Sequence, residues 1–201
     1  MEEAAEGFHV KGVLRKGVLA SITHALEARG WEPAEPADLD ADELHAGVHR
    51  AFYVAEQADG WVSVFPNRWD SAVPEEVSRI LAKPVLMLTL FEDGVFLYHL
   101  FVKGKLVDSY KSDPDFLDPH GMSDADGARA NPEAIRPILP EPSAGTAVDI
   151  LLNSPAKAGG GDLIERFAAL LKIQRWRGTY ALLAPGEGPG ADLVQATFRR
   201  K

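Results

Sequence analysis

Between residues 85 and 111 the chain alternates long apolar runs with tight polar breaks. Val85-Leu86-Met87-Leu88-Thr89-Leu90-Phe91 is apolar at almost every position, as in a strand buried on both faces. Asp93-Gly94, a turn dipeptide, separates it from Val95 to Val102. Lys103-Gly104 separates that run from Leu106 to Lys111. Three strands and two short turns predict a buried β-meander.

The turns also predict a register. A two-residue loop at Asp93-Gly94 sets Leu88 opposite His99, and one at Lys103-Gly104 sets His99 opposite Asp108. One face then carries Leu86, Leu88, His99 and Asp108, and the other carries Met87, Tyr98, Leu100 and Ser109. Both faces are largely apolar, so each needs a cover.

Before the meander, residues 7–14 read as a strand. Val18, Leu19, Ile22 and Leu26 recur at helical spacing over 16–29. Residues 32–47, acidic and rich in Pro and Ala, read as a loop. Residues 50–56 and 61–65 form a predicted hairpin around Ala58-Asp59-Gly60. A helix over 74–82 opens on Pro74, with Glu75 and Glu76 at the positive end of its dipole. After the meander, 113–145 reads as a long acidic, Pro-rich loop with a helical turn at 132–138. Residues 146–152 read as a strand, and Asp162 caps a helix running to Lys172. Residues 179–183 and 193–198 read as a closing hairpin.

The predicted fold is therefore α+β, with a mixed or antiparallel sheet. A β-α-β-β-α-β, ferredoxin-like core is extended by the meander, making a main domain over 1–112. The acidic loop at 113–145 follows, and a C-terminal β-α-β-β segment at 146–201 packs on the same core.

Composition narrows the chemistry. Hydrophobic residues make up 46%, enough for a packed core. With no cysteine, disulfides, thiolate metal sites and cysteine nucleophiles are excluded. Acidic residues outnumber basic ones 30 to 21, which disfavours nucleic acid as a partner. The acidic opening Met1-Glu2-Glu3 is unlike a secretion signal. No apolar run approaches the roughly 20 residues of a membrane span. A soluble, cytoplasmic protein is the expectation.

Four candidate sites arise. His99 opposite Asp108 could act as a base or metal ligand, or simply be a satisfied cross-strand pair. Asp113, Asp115, Asp118, His120, Asp124 and Asp126 could hold a hard cation, although their spacing is not that of an EF-hand and suits ordinary turns. Arg15-Lys16-Gly17 at a strand-to-helix turn lacks any phosphate-loop pattern. Trp69, beside Arg68, and Trp176, between Arg175 and Arg177, are candidate binding anchors. No H-E-x-x-H, G-x-S-x-G, Walker or zinc-finger motif occurs.

Residues 61–117 carry a resemblance. Trp61-Val62-Ser63-Val64-Phe65, Val95-Phe96-Leu97-Tyr98 and Gly104-Lys105-Leu106-Val107-Asp108-Ser109-Tyr110-Lys111-Ser112-Asp113-Pro114 resemble a group of uncharacterised bacterial proteins. In these a Leu-Tyr strand is followed by a Gly turn and an Asp-x-Tyr-x-Ser-x-Pro segment. The resemblance implies a bacterial origin and the meander, and it carries over no functional residue.

The functional expectation is a non-catalytic binding protein of adaptor, regulatory or immunity type, without a cofactor, engaging a protein partner or a second copy. The alternatives are a metal-assisted hydrolase using His99, Asp108 and loop carboxylates, and nucleic-acid binding through Arg175, Arg177 and the basic residues 199–201.

Overall fold

The computed structural model describes residues 3–35, 48–116, 130–141, 144–153, 159–178 and 192–201. Its eight strands are β1 (Glu3–Lys11), β2 (Trp31–Ala34), β3 (His49–Ala55), β4 (Trp61–Pro66), β5 (Pro84–Phe91), β6 (Phe96–Val102), β7 (Lys105–Lys111) and β8 (Leu193–Arg200). They form one sheet in the order β2-β8-β3-β4-β1-β5-β6-β7. Every neighbouring pair is antiparallel. The described residues also form five α-helices: α1 (Arg15–Glu27), α2 (Ala72–Leu81), α3 (Pro132–Ile135), α4 (Ala144–Asn153) and α5 (Gly160–Leu171). A 3₁₀ turn, Arg136–Ile138, continues α3. No helix among these residues is long and apolar enough to cross a membrane.

Both faces of the sheet are covered. On one, Val18, Ile22 and Leu26 of α1 and Val73 and Val77 of α2 pack on Phe8, Val10, Val62, Val64 and Met87. On the other, Ile135, Val148, Leu152, Leu163 and Phe167 of α3–α5 pack on Leu86, Leu88, Phe96, Tyr98 and Leu100. The doubly apolar strand β5 thus sits between two helical layers, which is the burial its sequence demands. Tyr98 ties the sheet to α5 by stacking, with its ring 5.1 Å from Phe167 of that helix and 5.6 Å from Tyr110 of β7.

The meander register differs from the predicted one. Phe91 N–H donates to Val95 O at 3.0 Å, closing a three-residue loop, Glu92-Asp93-Gly94. Gly94 takes a φ of +83° there, as the left-handed last position of such a loop requires. One extra loop residue slips the pairing by one and exchanges the faces. His99 therefore pairs with Met87, and Tyr98 with Leu88. The Lys103-Gly104 turn does have two residues, since Val102 pairs with Lys105, but the ladder then jumps from Phe101↔Leu106 to Leu100↔Asp108. Val107 is the extra residue of a β-bulge.

Three further expectations are corrected. Residues 146–152 form helix α4, not a strand. Val148 and Leu152, four apart, turn inward, while Ile150 is 63% exposed. An alternating strand would have put all three on one face. Within the segment read as loop, Glu32 to Ala34 belong to edge strand β2, where Pro33 is tolerated because an edge leaves one row of donors unused. Finally, β8 runs between β2 and β3, with Thr197 paired to both Ala34 and Ala51. The expected hairpin partner at 179–183 lies outside the described residues. Arg199 pairs with Glu32 at 2.8 Å.

Candidate functional site

The structure separates His99 from Asp108. His99 is sealed on the α1/α2 face, 1% exposed, with the Trp69 ring edge-on at 6.4 Å. Asp108 lies on the opposite face, where it accepts a hydrogen bond from the Tyr98 hydroxyl at 2.6 Å and from Asn131 N–H at 3.2 Å. Burial pushes the Asp108 carboxyl up from its ordinary value, while the bonds from Tyr98, Asn131 and Ser109 pull it back. Burial also raises the Tyr98 hydroxyl. The pair ties β6 and β7 to the start of α3, where Asn131 is the N-cap.

Of the loop carboxylates, Asp113 and Asp115 are exposed, and Asp113 accepts Asp115 N–H at 3.0 Å in an ordinary Asx turn. Asp118, His120, Asp124 and Asp126 lie outside the described residues. Among the described residues no three His, Cys, Asp or Glu side chains cluster to hold a metal. Arg15 bonds Glu56 and the Asp192 carbonyl, each at 2.8 Å, so its side chain braces the start of α1. Arg175 pairs with Asp192.

Strand pairing reveals one polar pair not visible in the linear sequence. His9 and Ser63, register partners on β1 and β4, meet at 2.9 Å from Nδ1 to Oγ. Both are buried, and desolvation lowers His9 from 6.5 to about 3, so the imidazole is neutral.

Of the two expected anchors, Trp69 is partly buried against the α1/α2 core, with Arg68 exposed beside it. Trp176 is only 9% exposed and belongs to the opposite core. Neither ring stands free in solvent, but Trp176 forms a wall of something larger.

That larger feature is built by α5 and the turn after it. Gly160 lets the helix start lie against the β5–β6 loop, because a Cβ there would fall 1.9 Å from the Gly94 carbonyl oxygen. Lys172, in the left-handed region at φ 60°, ends the helix. Ile173 N–H then donates back to Ala168 O at 2.8 Å. Trp61 Nε1–H holds the Leu171 carbonyl at 2.8 Å, and Glu6 N–H holds the Gly178 carbonyl at 3.0 Å. The chain between is pinned at both ends, with Trp176 and Arg177 beside the first turns of α5.

The result is a cavity of about 390 Å³ lined by Ala5, Leu90, Gly161, Asp162, Glu165, Trp176 and Arg177. Its floor is apolar, and its rim carries two carboxylates three residues apart on one helix face. Arg177 donates to Glu165 Oε2 at 2.8 Å, and its guanidinium lies 4.8 Å from the Trp176 ring centroid. Around the helix, Arg166, Ala169 and Leu170 face Ala147, Ile150 and Leu151 of α4 across an apolar groove of about 580 Å³. The two openings share α5. Sequence reasoning singled out Trp176 and Arg177 but not Asp162, Glu165 or the groove.

No family model, curated protein or solved structure matches the chain.

Proposed function

We propose that this chain is a non-catalytic binding protein that engages a protein partner through the exposed side of α5. The observation that carries the reading is the apolar α4–α5 groove, with Ile150 63% exposed, running beside a charged aromatic cavity on the same helix. An exposed apolar groove rimmed by charge is the form of surface that takes an apolar segment of another protein. The ionisable pair that would have suggested catalysis, His99 and Asp108, is divided between two faces.

On this reading the sheet is a scaffold. The order β3-β4-β1-β5, with α1 and α2 on one face, supports a ferredoxin-like core extended by the meander and by β8 and β2. The cysteine-free, acidic composition supports a cytoplasmic setting.

The test is a photo-crosslinking residue at position 150 in the producing cell, with position 194 on β8 as control. The expected result is one adduct specific to position 150, with a captured protein that binds the purified chain and binds Ile150→Glu about tenfold more weakly or worse. Equal labelling at both positions, or an adduct only with a second copy of the chain, overturns the reading.

A further inference from the structure

The geometry points to the cavity beside Trp176 as a receptor for a guanidinium, an arginine side chain of the partner, whose place is held in the free protein by Arg177. The inference rests on the protein-binding reading above and names its chemistry.

Arg177 already makes the two contacts that recognise such a group. Its guanidinium lies over the Trp176 ring at 4.8 Å and pairs with Glu165 at 2.8 Å. Both halves of that pair are open to solvent, with side-chain exposures of 68% for Arg177 and 59% for Glu165. An exposed pair of this kind is held weakly and exchanges readily. Trp176 is different. It is buried at its base and locked between the Leu171 and Gly178 anchors, so the ring is a rigid platform and the arginine on it a movable occupant.

The charge count at the rim also favours an incoming cation. Asp162 and Glu165 both line the cavity with a single arginine, and among the described residues Asp162 makes no ion pair. The apolar floor of Ala5 and Leu90 suits the methylene stem of a long basic side chain. Arginine fits better than lysine, because a planar guanidinium stacks on an indole and forks to a carboxylate at once. Arg177 swinging away would free the ring and one carboxylate together, leaving two carboxylates for one incoming cation.

The experiment titrates the full chain with N-acetyl-arginine amide, and with the neutral N-acetyl-citrulline amide as control. Binding is read by NMR on the Trp176 indole N–H, assigned with Trp176→Phe. The expected result is a saturable shift with the arginine probe and none with citrulline. Arg177→Ala should bind the probe about tenfold more tightly, the equivalent of the contacts it gives up. Asp162→Asn with Glu165→Gln should weaken it by a similar factor. Equal shifts with both probes, or no gain in Arg177→Ala while its melting temperature is unchanged, overturns the inference. Ile150→Glu separates the two proposals, since it disables the groove and leaves the cavity intact. Arginine-probe binding retained without any position-150 adduct sinks only the partner reading. A groove-dependent partner indifferent to the Asp162 and Glu165 substitutions sinks only the guanidinium site.

Discussion

The Tyr98 hydroxyl donates to the Asp108 carboxylate across β6 and β7, 2.6 Å apart, on the face that α3 and α5 cover. Tyr98 is fully buried, so Asp108→Ala leaves a buried hydroxyl without its acceptor. That substitution should lower stability by about 1–3 kcal/mol. Tyr98→Phe keeps the stacked ring and should lose only about 0.5–1.5 kcal/mol. Urea denaturation of both single variants and the double variant checks this. A coupling energy near zero would mean the bond contributes nothing.

His9 predicts an acid limb of instability. Its folded value, about 3, lies below the ordinary 6.5 that the unfolded chain keeps. Above pH 6.5 neither state binds the proton and His9 leaves stability unchanged. Between 6.5 and 3 the unfolded state takes the proton first, so stability falls with falling pH at up to about 1.4 kcal/mol per unit. The urea midpoint followed over that window should drop less steeply in His9→Asn, whose amide can still reach Ser63. Identical slopes would remove His9 as the cause.

Gly160 and Gly161 are neighbours with opposite predicted responses. A Cβ at Gly160 would fall 1.9 Å from the Gly94 carbonyl oxygen, whereas one at Gly161 meets nothing within 4 Å. Gly160→Ala should force α5 away from the β5–β6 loop and lower stability by about 1–3 kcal/mol. Gly161→Ala, in the first turn of the helix, should be neutral or stabilising by up to about 1 kcal/mol. Thermal unfolding of the two variants gives the comparison directly.

Gly94 sets the meander register from its left-handed conformation, at φ +83°. Gly94→Ala should lower stability by about 1 kcal/mol. Gly94→Asn, which tolerates that region, should recover part of the loss. Equal melting temperatures for wild type and Gly94→Ala would show that the loop does not depend on the glycine.

These residues also show where the sequence was legible. The apolar run at 85–91, bounded by turn signals, read as a strand buried on both sides, and the structure gives it two helical layers. The periodicity of α1 marked Val18, Leu19, Ile22 and Leu26, of which the structure buries all but Leu19, which is half-buried. The register was harder, because Asp-Gly serves both two- and three-residue loops, and a difference of one residue reverses every side chain. Residues 146–152 fit both periods, since Val148 and Leu152 share a face at spacing 2 and at spacing 3.6. β2 has only four residues and a proline, too little for a strand signal without its partner β8. The cavity depended on the chain doubling back at Lys172 to set Trp176 and Arg177 beside Asp162 and Glu165. Composition and spacing do not encode that reversal.

The position of β8 bears on how the chain comes to be folded as it is made. Arg199 closes on Glu32 across 167 residues of sequence, and among the described strands β2 pairs with β8 alone. Until residues 193–200 leave the ribosome, β2 and the outer edge of β3 lack the strand that pairs with them among the described residues. A chain synthesised only as far as residue 192 therefore carries an adhesive sheet margin. A translation pause between residues 55 and 193 prolongs that exposure.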